Sequence, residues 1–103
     1  MTQAERDYQP KLKSKIEKLL PGCTILKNDP RHFQGIADLT ILYGKLWALL
    51  EIKISKKANH RPNQDYYVDK YNKQGFASII YPEIEDEVLD RMVKYLRCQN
   101  DLE

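Results

Sequence analysis

The stretch Leu46-Trp47-Ala48-Leu49-Leu50-Glu51-Ile52-Lys53-Ile54 decides the reading of the fold. A run this apolar on both faces is a central strand, covered above and below. Side chains alternate along a strand, so Trp47, Leu49, Glu51 and Lys53 share one face. Two opposite charges therefore sit together at the end of a buried strand. Burying an ionised group costs several kcal/mol unless it is paired or binds an ion. Taken alone, the two charges are explained as an ion pair at a solvated strand end, a common and weak arrangement.

The preceding segment changes that reading. Ile36 to Tyr43 forms a strand, Gly44-Lys45 a turn, and Leu46 to Ser55 the next strand, so the two make an antiparallel hairpin. In such a hairpin the start of one strand lies beside the end of the other, which brings Asp38 to Glu51 and Lys53. Two adjacent carboxylates repel and raise each other's pKa unless a cation sits between them. A few hard oxygen ligands suit Mg²⁺, which keeps several waters and takes substrate phosphate as a further ligand. Mn²⁺ is the expected substitute, and the carbonyl of Ile52 is a candidate extra oxygen. Lys53 is then placed to orient or deprotonate an attacking water, or to balance phosphate charge.

Outward from the hairpin, Leu12, Ile16, Leu19 and Leu20 recur at helical spacing, which predicts a helix from about Thr2 to Leu20. Pro10 requires either a start near Gln9 or a kink. Cys23 to Lys27 reads as a short strand and Asn28-Asp29-Pro30 as a turn. Beyond the hairpin come a polar loop over Ser55 to Asn63, a helix over about Pro62 to Gln74, a strand over Phe76 to Tyr81, and a helix over about Ile84 to Gln99. Val88, Leu89, Met92, Tyr95 and Leu96 form the inner stripe of that last helix. The helix between the third and fourth strands makes a crossover, so those strands should be parallel neighbours. The expectation is an α/β fold in the order αβββαβα, a mixed four-stranded sheet flanked by helices.

At these residues the sequence resembles the PD-(D/E)XK nucleases: Ala37-Asp38, followed by Glu51-Ile52-Lys53 on the next strand. The likeness covers roughly Gln3 to Tyr81, with Ala37 standing where the family usually has proline. Within that superfamily Gly35-Ile-Ala-Asp38, Glu51-Ile-Lys53 and a glutamine after the loop look most similar to the compact VRR-NUC branch, the virus-type replication and repair nucleases. The resemblance implies a restriction-endonuclease-like core occupying residues 1–103 as one domain. It also implies that Asp38 and Glu51 hold the metal, that Lys53 serves catalysis, and that Gln64 assists. Glu5, on the first helix, matches a metal-linked glutamate of many such nucleases. A comparable tyrosine four residues after the glutamine is absent, since position 68 is Val68.

The expected activity is that of a Mg²⁺-dependent DNA endonuclease in replication, recombination or repair, in a bacterial or phage setting. Branched DNA such as a four-way junction and a homodimeric state follow from the VRR-NUC likeness. Phe76, Ile79, Ile80 and Tyr81 are candidates for the dimer contact or for the core. The alternatives are a non-catalytic nucleic-acid-binding module on the same fold, and an interaction protein whose charges form only a surface pair.

Lys56, Lys57, His60 and Arg61 form a basic cluster beside the site, suited to phosphate contacts. Arg31 and His32 lie on the loop leading to Asp38. Tyr67 and Tyr71 are helical neighbours, expected to pack at the core or its rim rather than to stack on bases. The formal net charge of +2 says little, because acidic and basic residues nearly cancel. Charged residues make up 31% and hydrophobic ones 42%, a globular composition rather than a disordered one. Cys23 and Cys98 belong to no paired motif, which gives a zinc site no support. The lack of a disulfide pattern and of a signal peptide predicts a reducing, cytoplasmic location. No apolar stretch is long enough to span a bilayer.

Overall fold

The computed structural model describes residues 2–29, 31, 36–57 and 64–101. Its elements run α1 (Gln3–Leu19), β1 (Thr24–Lys27), β2 (Leu39–Tyr43), β3 (Leu46–Ile52), α2 (Gln64–Gln74), β4 (Phe76–Ile80), a 3₁₀ turn (Pro82–Ile84) and α3 (Glu85–Asp101). The order αβββαβα is the expected one.

Helix α1 begins at Gln3 and continues past Pro10, which sits inside it. The proline ring removes one helical N–H donor and costs the helix about 3 kcal/mol. A capping box offsets part of that loss. The Thr2 hydroxyl accepts from the Glu5 backbone N–H at 3.2 Å, and the Glu5 carboxylate accepts from the Thr2 N–H at 2.9 Å.

The sheet order is β1-β2-β3-β4. The pairs β1–β2 and β2–β3 are antiparallel and β3–β4 is parallel, as the crossover requires. Tyr43 faces Leu46 across a two-residue turn in which Gly44 has φ +61°, a conformation that glycine adopts without a Cβ penalty. Strand β3 pairs only as far as Ile52, short of the expected Ser55, and β2 starts at Leu39 rather than Ile36. The last backbone bond beyond the ladder runs from the Lys53 N–H to the Ile80 carbonyl.

One face of the sheet packs on α1 and α3. Leu12, Ile16 and Leu20 meet Leu39, Ile41, Leu50 and Ile52 there, together with Val88, Leu89, Met92 and Leu96 of α3. Phe76 and Ile80 belong to this core, so they are not the exposed dimer contact that an edge strand suggested. Tyr95 stacks on Phe76 at 6.1 Å. The phenol of Tyr8 donates to Glu85 at 2.6 Å, and Lys15 reaches Glu85 at 2.5 Å and Asp86 at 3.0 Å, which ties α1 to the start of α3. On the opposite face α2 covers a smaller cluster of Ala37, Leu49 and Ala77, with Trp47, Val68 and Tyr71 packed against it. Among the described residues no helix is long and apolar enough to cross a membrane.

Candidate active site

The register of the hairpin builds the site. Leu39 pairs with Leu50, so Asp38, one residue before the ladder begins, stands across from Glu51. Leu39 and Leu50 point into the α1/α3 core, so Asp38 and Glu51 lie on the other face, the one that α2 partly covers. The Asp38 carboxylate is fixed by the neighbouring strand, its Oδ2 accepting from the Ile52 N–H at 2.8 Å. A carboxylate oxygen has two lone pairs, so this bond orients the group and leaves it acceptor capacity.

Glu51 is 1% exposed and Lys53 is 5% exposed. Lys53 Nζ lies 3.9 Å from Glu51 Oε1, an ionic contact too long to be a hydrogen bond. The other oxygen of that carboxylate, Oε2, is buried and accepts no hydrogen bond among the described residues. The pair is thus inside the molecule, not at the solvated strand end where a surface ion pair would sit. Breaking a buried pair by removing one charge is costly, because the other charge stays behind.

A residue the sequence reading passed over completes the frame. The Asn28-Asp29-Pro30 pattern predicts a turn at Asn28. Asn28 instead clamps the strand that carries Asp38. Its backbone N–H donates to the Asp38 carbonyl at 2.9 Å. Its Nδ2 donates to the Ala37 carbonyl at 2.9 Å and to Thr40 Oγ1 at 2.8 Å, and the Thr40 hydroxyl lies 3.1 Å from its Oδ1. The only sequence signal was an asparagine at the end of a strand, whose short amide reaches nearby backbone groups readily.

The remaining expected residues divide. Ile52 gives its N–H to Asp38 and its side chain to the core, and its peptide links the two charged residues. Glu5 is buried, and its carboxylate serves the capping box of α1. Among the described residues no three His, Cys, Asp or Glu side chains group as a metal cage. The pattern Thr2-x-x-Glu5 was the sequence cue for its capping role. Gln64 opens α2, with its side chain outside the described residues. Lys56 and Lys57 are exposed just past the site, whereas His32, His60 and Arg61 lie outside the described residues. Arg31 is gripped by Asp29 at 2.8 Å, and its guanidinium holds that carboxyl below the usual carboxylate range. A concavity of about 480 Å³, lined by Arg6, Gln9, Pro10, Lys13, Ser14, Glu17 and Lys27, contains none of the three central residues.

The donor set fits a hard divalent cation. Two carboxylates on adjacent strands, flanked by a peptide carbonyl, provide only oxygen, and Mg²⁺ needs no more than one or two carboxylates when water and phosphate complete its shell. Cys23 and Cys98 lie elsewhere, on the β1 side and on α3, so soft-metal coordination has no thiolate here.

No protein-family model matches the sequence, and no curated protein matches it. A solved structure described as a VRR_NUC domain does superpose on the chain, with a TM-score of 0.68 and 17% sequence identity. The match covers 86% of this chain and 97% of the other. At that identity the likeness speaks for the backbone alone, and the chain has the fold of that VRR_NUC domain.

Proposed function

We propose that this protein is a Mg²⁺-dependent nuclease that hydrolyses phosphodiester bonds in DNA. The observation that supports it best is the hairpin register, with the 2.8 Å bond from the Ile52 N–H to Asp38, which sets Asp38 beside the buried Glu51 and Lys53 in a chain with the VRR_NUC fold. Asp38 and Glu51 hold the ion. A divalent cation held there supplies Lewis-acid polarisation of the scissile phosphate and lowers the pKa of a nearby water. Lys53 faces the phosphate, orients the attacking water and balances the negative charge that develops. The Ile52 peptide keeps the two carboxylates in register, and Gln64 assists at the first turn of α2. Lys56, Lys57, His60 and Arg61 contact the DNA backbone without reading its sequence.

The substrate and assembly extend this proposal. One site cuts one strand, and a four-way junction needs two symmetric cuts, which a twofold homodimer supplies. The protein is therefore expected to act as a homodimer on branched DNA in replication, recombination or repair.

The deciding experiment incubates the protein with a four-way junction, a flap and their linear arms, with and without Mg²⁺, beside Asp38→Asn and Glu51→Gln. Metal-dependent cleavage by the parent and none by either variant is expected. Cleavage by a variant at the parental rate removes the site assignment. Light scattering at micromolar concentration reads the dimer separately, and a monomer that cuts linear duplex as well as the junction removes the branched-DNA proposal alone.

A further inference from the structure

Helix α2 covers only part of its face of the sheet. It packs on β4 and β3, and among the described residues no helix covers the same face of β1 and β2, where Leu26 and Leu42 are exposed. Pairing puts Leu42 beside Trp47, and Thr40 beside both Leu26 and Leu49, so these side chains share the face that carries Asp38 and Glu51.

The flank of α2 that borders this open shelf is aromatic. Trp47 meets Tyr71 edge-on, with centroids 6.5 Å apart, and Tyr71 lies against Tyr67 at 5.9 Å with the planes only 16° apart. Tyr66 follows at 5.1 Å from Tyr67 and is 62% exposed. Lys70 Nζ sits 5.9 Å and 5.8 Å from the Tyr67 and Tyr71 centroids. The acidic residues of the helix lie elsewhere: Asp65 and Asp69, together with Asn72, line the opposite flank, beside β4.

The row also has a direction. The C-terminal end of α2 is at the start of β3, because Gly75 closes against the Trp47 ring and Asn72 accepts from the Ala77 N–H. The helix therefore runs back antiparallel to β3, and its first turn lies at the sheet end that bears Glu51 and Lys53. A row of rings leads along one face toward the two buried charges.

We propose that this shelf holds an unpaired nucleic-acid strand, with a base stacked on Tyr66, the Tyr67–Tyr71–Trp47 row extending the platform, and Lys70 beside the backbone. The assignment rests on the nuclease reading and names its substrate: the single-stranded part of a branched DNA. Rings and a cation, with few side-chain groups that read base edges, suit any base, because every base has a π face. Duplex DNA has no use for the shelf, since its bases are already stacked. The packing of Tyr67 on Tyr71, anticipated from helical spacing, prepares the platform and does not compete with it, and Tyr66 supplies the open ring.

The test uses the full chain in EDTA, so that binding is read without cleavage. Anisotropy with a labelled single strand and with the same sequence as a duplex is measured for the parent, Tyr66→Phe and Tyr66→Ala, with a 2-aminopurine strand to report stacking. Tyr66→Ala should weaken single-strand binding at least about fivefold and relieve 2-aminopurine quenching, while Tyr66→Phe and all duplex affinities stay within about twofold of the parent. Equal losses for single strand and duplex, no loss at all, or a fall in light-scattering mass on Tyr66→Ala overturn the proposal, the last by placing a second copy of the chain on the shelf. Adding Mg²⁺ to the parent reads the nuclease separately. Stacking without cleavage refutes the nuclease and leaves the shelf, and cleavage with Tyr66→Ala binding unchanged does the reverse.

Discussion

Replacing Asn28 by alanine tests whether the frame around Asp38 is built as described. The change deletes the amide that donates to the Ala37 carbonyl at 2.9 Å and to Thr40 Oγ1 at 2.8 Å, together with the acceptor that faces the Thr40 hydroxyl at 3.1 Å. It keeps the backbone bond to the Asp38 carbonyl. Each hydrogen bond nets about 0.5–1.5 kcal/mol, so three sum to about 1.5–4.5 kcal/mol. The contacts are only partly buried and water can replace some of them, which favours the lower half, about 2 kcal/mol. Urea unfolding followed by circular dichroism should show that loss as a lower midpoint with an unchanged slope. Thr40→Val removes the hydroxyl side of the contact and keeps the Ala37 bond, so the double variant should lose about 1 kcal/mol less than the two single losses added. A looser Asp38 should also raise the Mg²⁺ concentration for half-maximal cleavage about tenfold, in line with the loss of a group that orients a ligand. A parental midpoint in Asn28→Ala, or strict additivity with Thr40→Val, would refute the clamp.

Three further outcomes follow from the geometry. Burial, and then donation to Glu85, push the Tyr8 phenol well above the ordinary tyrosine range. A raised folded pKa stabilises fully below the unfolded value of about 10 and is lost as pH rises past it; Tyr8→Phe should therefore cost about 1 kcal/mol at pH 7 and show a shallower loss of stability between pH 10 and 12, and parallel pH profiles would refute this. Gly75→Ala places a Cβ 2.8 Å and 2.9 Å from Trp47 Cζ2 and Cη2, so it should cost about 1–3 kcal/mol and shift the emission of the protein's single tryptophan; an unmoved spectrum at parental stability counts against the contact. Lys53→Met keeps the apolar stem and removes the charge, and turnover should fall at least about a hundredfold with Mg²⁺ binding retained; normal turnover would make Lys53 only a structural partner of Glu51.

Much of the architecture was legible along the chain because it is written in local periodicity. The apolar run of Leu46 to Ile54, the Gly44 turn and the helical stripe of Val88, Leu89, Met92 and Leu96 each need only a few neighbouring residues to be recognised. Two charges inside an apolar strand are conspicuous for the same reason. Together with the hairpin they located Asp38, Glu51 and Lys53, since the register of a tight hairpin follows from its turn. Element ends were less legible. Strand β3 stops at Ile52 because β4 offers its last carbonyl to the Lys53 N–H, and that partner is almost thirty residues away. Pro10 reads locally as a helix breaker, yet α1 holds its place through Leu12, Ile16 and Leu20 buried against the sheet, contacts whose gain exceeds the cost of one missing donor. Asn28 became a clamp, and Tyr66, Tyr67, Tyr71 and Trp47 became a single row, only once strands and helix were set side by side. Alternation and helical spacing act within one element and can be counted along the sequence; which side chains meet across elements depends on packing, and packing is decided by the whole chain at once.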